Sequence, residues 1–220
     1  MNIPAFKKRV NLDNIPIKIE NIENKDPKKI VDGVTYVWGN KKGKVTKREI
    51  VFDSSIYKEM NEALDKFNKG LVLEEIDFKR IVGFMHEVGH TKDIYVNRLK
   101  KNSPEYFLSE GLNEKFARMG TASMITDRYK GIEKEEIKDM LSKLDSWAGK
   151  GEYYNNPVKT IEKALSWFDK DEIYKIYIDM REKLIKTKHE KIFETVEEVM
   201  KKYNKIKAGL SMIDLRNIKE

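Results

Sequence analysis

Apolar residues fall in short runs over the first fifty positions and recur every three or four residues after that. Ile15-Pro-Ile-Lys-Ile-Glu20 alternates as a strand does. Val34-Thr-Tyr-Val-Trp38 and Val45-Thr-Lys-Arg-Glu-Ile-Val-Phe52 are β-branched and aromatic runs joined through Asn40-Lys-Lys-Gly43, which predicts a hairpin. From Ile56 the period becomes helical. One helix is expected from Ile56 to about Asn68, capped by Ser54 or Ser55 and closed by Gly70. A second runs from about Asp77, its N-cap, to Lys92, and a third opens at Ser103-Pro104 and continues to Met119. After Gly120 the chain reads as helix in spans near 121–130, 133–148, 157–168, 171–187 and 190–207. The loop Gly149–Asn156 is the clearest break, and the tail from Ala208 reads as loosely held. Trp38, Trp147 and Trp167 read as core. The expected class is α+β, mostly helical, in three segments: an irregular N-terminal stretch with one strand (1–33), a core with the hairpin and two central helices (34–130), and a helical C-terminal part (131–220).

The second of those helices carries Phe84-Met-His-Glu-Val-Gly-His90. His86 and His90, four apart, project from one face a single turn apart, and Glu87 lies about 100° round from His86. This is the H-E-x-x-H arrangement, in which two imidazoles hold Zn²⁺ and the Glu activates water. The chain has three histidines in 220 residues and two of them are used here, which makes chance occurrence a poor explanation. Phe78, Val82, Met85 and Gly89 form a core-facing stripe. Gly83 lies on the histidine side, where a helical glycine costs stability and close approach above a metal would account for it. The competing reading is two histidines on a solvated face.

A zinc hydrolase needs a third protein ligand. On the helix that follows, Leu108, Leu112, Phe116 and Met119 make one stripe, while Phe107, Glu110, Glu114 and Ala117 fall on the other side. Two acids flanked by Phe107 and Ala117 suit a helix buried on one side and turned toward a metal on the other. The competing reading is a solvated acidic pair.

Nineteen residues separate His90 from Glu110 in the segment Leu108-Ser-Glu-Gly-Leu-Asn-Glu114. Over about thirty residues the chain resembles the gluzincins, the zinc peptidase group that includes thermolysin and the zinc aminopeptidases. The resemblance implies a zincin-like fold, with a small N-terminal β-sheet over an active-site helix. It also implies His86, His90 and Glu110 as ligands of Zn²⁺, Glu87 as general base and Glu114 as a carboxylate supporting a histidine ligand. Ile94 stands where thermolysin-like enzymes have an Asp four residues after the second His, so Asp93, one residue earlier, is the displaced equivalent. The same likeness makes Arg48 to Phe52 the candidate strand for pairing with an extended peptide; an ordinary hairpin over the core is the alternative. A donor to the oxyanion is expected from later in the chain. Tyr153 and Tyr154 in the glycine-bounded loop are favoured over Tyr129 and over His189, which reads as a surface or capping residue.

Composition narrows the partners. Lys and Arg number 44 against 37 Asp and Glu, a net charge of +7 with the signs interspersed. Neither a basic face nor a nucleic-acid motif is present, so nucleic acid is not an expected partner. No apolar run approaches a membrane span, and membrane partners are not expected either. Cysteine is absent, which excludes disulfides and thiolate ligands. No signal peptide is visible at Met1–Val10, which suits a cytoplasmic protein, or a secreted or delivered one if the chain is a mature domain. The expected function is a zinc-dependent endopeptidase acting on a protein or peptide. The alternatives are a zincin scaffold that binds metal or protein without catalysis, and an aminopeptidase.

Overall fold

The residues that cap and turn the chain determine where its elements begin. The computed structural model describes residues 12, 14–22, 33–129, 134–149 and 154–219. Three strands, β1 (Ile17–Glu20), β2 (Gly33–Gly39) and β3 (Val45–Asp53), form one sheet in the order β1-β3-β2. Eight α-helices follow among the described residues: α1 (Tyr57–Lys69), α2 (Glu75–His90), α3 (Pro104–Arg128), α4 (Lys134–Gly149), α5 (Asn155–Leu165), α6 (Lys170–Leu184), α7 (Ile192–Tyr203) and α8 (Lys205–Arg216). A short 3₁₀ turn, His189–Lys191, precedes α7. The class is α+β and mostly helical. None of the described helices is long and apolar enough to cross a membrane.

The chain divides into two compact units. The first comprises Met1–Val37, Lys47–Thr91 and Ala117–Lys150. Its core buries Ile50, Phe52, Met60, Phe67, Phe78 and Phe84. Phe52 of β3 stacks on Phe84 of α2 with ring centroids 5.3 Å apart, which lays the sheet against the motif helix. β1 runs parallel to β3, Ile17 opposite Ile50. Asp53 fastens the end of β1 by accepting from the Ile22 N–H at 2.8 Å. The Ser55 hydroxyl, then that bond and the Ser55 N–H, hold its carboxyl below the usual carboxylate range. β3 is therefore the central strand and cannot take a peptide at its edge; the outer strands are β1 and β2.

Asp77 is not the N-cap of α2. The helix starts two residues earlier with Glu74 as cap, and Asp77 reaches back to the Glu74 N–H at 2.9 Å in a capping box. Its carboxylate also meets Lys66 Nζ at 2.8 Å, joining α1 to α2. Gly70 closes α1 with φ 72°, as the expected left-handed cap.

The second unit comprises Trp38–Thr46, Lys92–Phe116 and Gly151–Glu220. Its core buries Leu108, Leu112, Ile161, Ile176, Val199 and Met212. The hairpin tip is held by the segment after α2: Val45 N–H donates to Ile94 O at 2.8 Å and Val96 N–H to Gly43 O at 2.9 Å. Ser103 caps α3 as expected, its Oγ accepting from the Tyr106 N–H at 3.2 Å. The 208–216 stretch is not a loose tail. It belongs to α8, capped by Asn204, with Ala208, Ser211, Met212 and Leu215 buried against α5 and α7. Trp38 and Trp167 are not core residues, being 43% and 50% exposed. The side chain of Trp147 lies outside the described residues.

Candidate metal centre

On α2 the four-residue spacing brings the two imidazoles together, with Nε2 of His86 and Nε2 of His90 3.2 Å apart. In a tetrahedral site with metal–nitrogen bonds of about 2.0–2.1 Å, two ligand nitrogens stand about 3.3–3.4 Å apart. The observed spacing is close to that, and is also that of a hydrogen bond between the two rings. Glu110 of α3 completes the set: one ligand atom from each of His86, His90 and Glu110 lies within 4.8 Å of the others. His86 and Glu110 are buried, and a buried carboxylate requires a compensating cation or donors. Two neutral imidazoles and one carboxylate form a donor set that can hold a divalent metal ion.

α3 is enclosed on all sides here, because every residue from Phe107 to Glu114 is buried. Gly111 explains how close its neighbour comes. A Cβ at that position would lie 2.7 Å from Pro157 Cβ and 3.0 Å from Ile161 Cδ1, so α5 packs directly against the turn that carries Glu110. The acidic stripe is thus no solvated face. Glu114 is 4% exposed, one turn beyond Glu110.

Glu87 is held from the sheet. The Thr35 hydroxyl of β2 lies 2.7 Å from Glu87 Oε2 and 3.0 Å from the Glu87 carbonyl oxygen. Its single hydrogen fixes the carboxylate or the helix backbone at any one time. Gly83, one turn before Glu87, does not owe its place to crowding, since a Cβ there would meet nothing within 4 Å.

No protein-family model matches this chain, and no curated protein or solved structure matches it. The chemistry rests on the donor set and its surroundings.

Tyr154 has φ +54°, a left-handed conformation costly for a side chain of this size, and its hydroxyl lies 3.2 Å from that of Tyr106. Tyr106 precedes Glu110 by four residues, so both lie on one face of α3. Tyr153 lies outside the described residues. Tyr129 is sealed in the core, donating to Leu71 O at 2.6 Å, and burial raises its pKa. His189 is not a surface residue: its side chain is 9% exposed, between Asp93 and Ser109. Asp93 thus faces the third histidine.

Sequence reasoning did not assign Thr35, Tyr106 or Ser109. Tyr106 was within reach, standing one helical turn before Glu110, and Ser109 adjoins Glu110. Thr35 gives no local signal, because its partner lies 52 residues away.

Proposed function

We propose that the chain is a zinc-dependent metallopeptidase with a zincin-like architecture, acting as an endopeptidase on a protein or peptide. The observation that carries this reading is the convergence of His86, His90 and Glu110 within 4.8 Å, with Glu87 between the histidines. Zinc is the ion proposed, because the two imidazoles stand in H-E-x-x-H spacing with the third ligand a carboxylate and Glu87 beside them. When bound it supplies Lewis acidity, polarising a carbonyl and making water nucleophilic near neutral pH.

The chain's own residues do the rest. Glu87 takes a proton from the attacking water and returns it to the departing amine. Thr35 orients that carboxylate through the 2.7 Å contact. Tyr154, with Tyr106 beside it, offers hydroxyl hydrogens to the oxyanion of the tetrahedral intermediate, one turn of α3 from Glu110. β2 is the strand suited to receive an extended substrate. It lies at an edge of the three-stranded sheet and carries Thr35 to Glu87, whereas β3 is paired on both sides.

Digestion of a peptide library with and without a chelator, alongside metal quantification, tests the proposal. Wild-type protein should contain about one zinc per chain and cleave within peptides, blocked ends included. Glu87→Gln should keep the zinc and lose about 10²–10⁴-fold in kcat. Zinc binding without cleavage would leave a binding scaffold, and full activity in Glu87→Gln would refute the chemistry.

A further inference from the structure

His189 is a largely buried imidazole for which the proposed hydrolysis has no use. Its Nδ1 lies 3.1 Å from Ser109 Oγ on α3. Its Nε2 lies 3.2 Å from Asp93 Oδ2, and the two side chains are only 9% and 14% exposed. The tautomer with its hydrogen on Nε2, toward a carboxylate that can only accept, leaves Nδ1 to receive the Ser109 hydroxyl. No hydrogen bond forms at Nε2, so Asp93 meets this end of the ring as a close contact at 3.2 Å. Arg181 adds to the hold: burial lowers its pKa, and the nearby Asp93 carboxylate opposes that. The backbone beside Asp93 is anchored too, the Ile94 N–H donating to Ile185 O at 2.8 Å and Val45 N–H to Ile94 O at 2.8 Å.

The two partners of His189 have telling places in the chain. Asp93 is the third residue after His90, and Ser109 immediately precedes Glu110. They lie at or near the two ends of the nineteen residues between His90 and Glu110. Left loose, a connector of that length would have to be ordered each time three donors met one ion, at a cost in affinity. Fastening its two ends to one imidazole orders it beforehand.

We propose that Asp93, His189 and Ser109 form a positioning latch that holds the 91–109 connector closed and so sets the Glu110 carboxylate for the metal ion. The proposal rests on the metal-centre reading above. His189 then serves as a positioning residue and not as a donor to substrate, since both ring nitrogens face groups of the protein itself.

Zinc affinity of the purified full chain, measured by competition with a chromophoric chelator, tests the latch. Removing a partner behind a metal ligand typically costs 10–100-fold in affinity. His189 reaches Glu110 only through Ser109, so His189→Ala should weaken zinc binding by about tenfold, the low end of that range, and Ser109→Ala by less, about threefold. The double variant should bind no more weakly than His189→Ala, because both substitutions break one chain of contacts. A purely structural role would instead lower the melting temperature of the metal-free protein and leave zinc affinity untouched, which overturns the latch. Should His189→Ala not fold, Ser109→Ala decides: wild-type affinity overturns the proposal and a loss supports it. Wild-type protein that binds no zinc sinks the metal reading and the latch with it. Zinc binding abolished by His86→Ala yet intact in both latch variants sinks the latch alone.

Discussion

At the scale of single residues, Thr35 and Gly83 separate positioning from space. The Thr35 hydroxyl lies 2.7 Å from the Glu87 carboxylate and can donate to it. Thr35→Val keeps the shape and removes the donor, so a steady-state comparison should show kcat down about tenfold with zinc content unchanged. An unchanged kcat would mean that Glu87 needs no such support. Gly83 meets nothing where a Cβ would stand. Gly83→Ala should therefore stabilise α2 by about 1 kcal/mol in chemical denaturation, the ordinary helix preference for Ala. If that variant binds zinc normally but cleaves peptides poorly, the open space above Gly83 is where substrate lies. Lower stability would instead mean that a neighbour crowds the position. These two residues also mark how far the site was legible. His86, Glu87 and His90 announce themselves through spacing on one helix, and Glu110 through its place among apolar neighbours. Thr35 could not be found that way, nor could the role of His189, whose serine partner lies 80 residues away. Its burial is conferred by what packs around it, and a Lys/Glu-rich neighbourhood gives the opposite impression.

At the scale of elements, the packing of α5 on α3 ties the fold to the candidate site. Gly111 permits an approach that any side chain would block, beside Glu110. Gly111→Ala should push Pro157 and Ile161 away and destabilise the protein by about 1–3 kcal/mol. It should also weaken zinc binding, because the turn carrying Glu110 must shift. A variant as stable as wild type, with equal zinc affinity, would show that the interface yields elsewhere. Hairpin and helices were readable because their patterns are local. The parallel pairing of β1 with β3 was not, since strand order depends on contacts across more than thirty residues. Gly120 did not end α3, which continues to Arg128: the cost of one helical glycine is smaller than the gain from the buried turns on either side. In α8 the buried residues include Ala208 and Ser211, too small to signal a core face, while Ile206 and Ile213 are exposed on the same helix. Met212 and Leu215 share the buried face, and Ser211 is fixed there by donating to Ala164 O at 2.6 Å.

For the molecule as a whole, the metal reading makes a thermodynamic claim independent of catalysis. His86 and His90 stand on α2 and Glu110 on α3, so an ion bound to all three must bind the folded chain better than the unfolded one. Any such ligand stabilises by mass action, about 2.7 kcal/mol when present at a hundred times its Kd. For a chain of this length that corresponds to a rise of about 5–10 °C in melting temperature. Zinc added to chelator-treated protein should produce this shift, and renewed chelation should reverse it. His86→Ala and Glu110→Gln should each abolish most of the shift, because each removes a ligand. Glu87→Gln should retain it, because that residue acts on water and not on the ion. The two classes of variant thus divide binding from chemistry in a measurement that needs no substrate. A melting curve indifferent to zinc, or a shift that survives the loss of His86, would mean that the imidazole pair and the carboxylate meet for some other reason. The 3.2 Å between the two Nε2 atoms would then have to be explained by a shared proton alone.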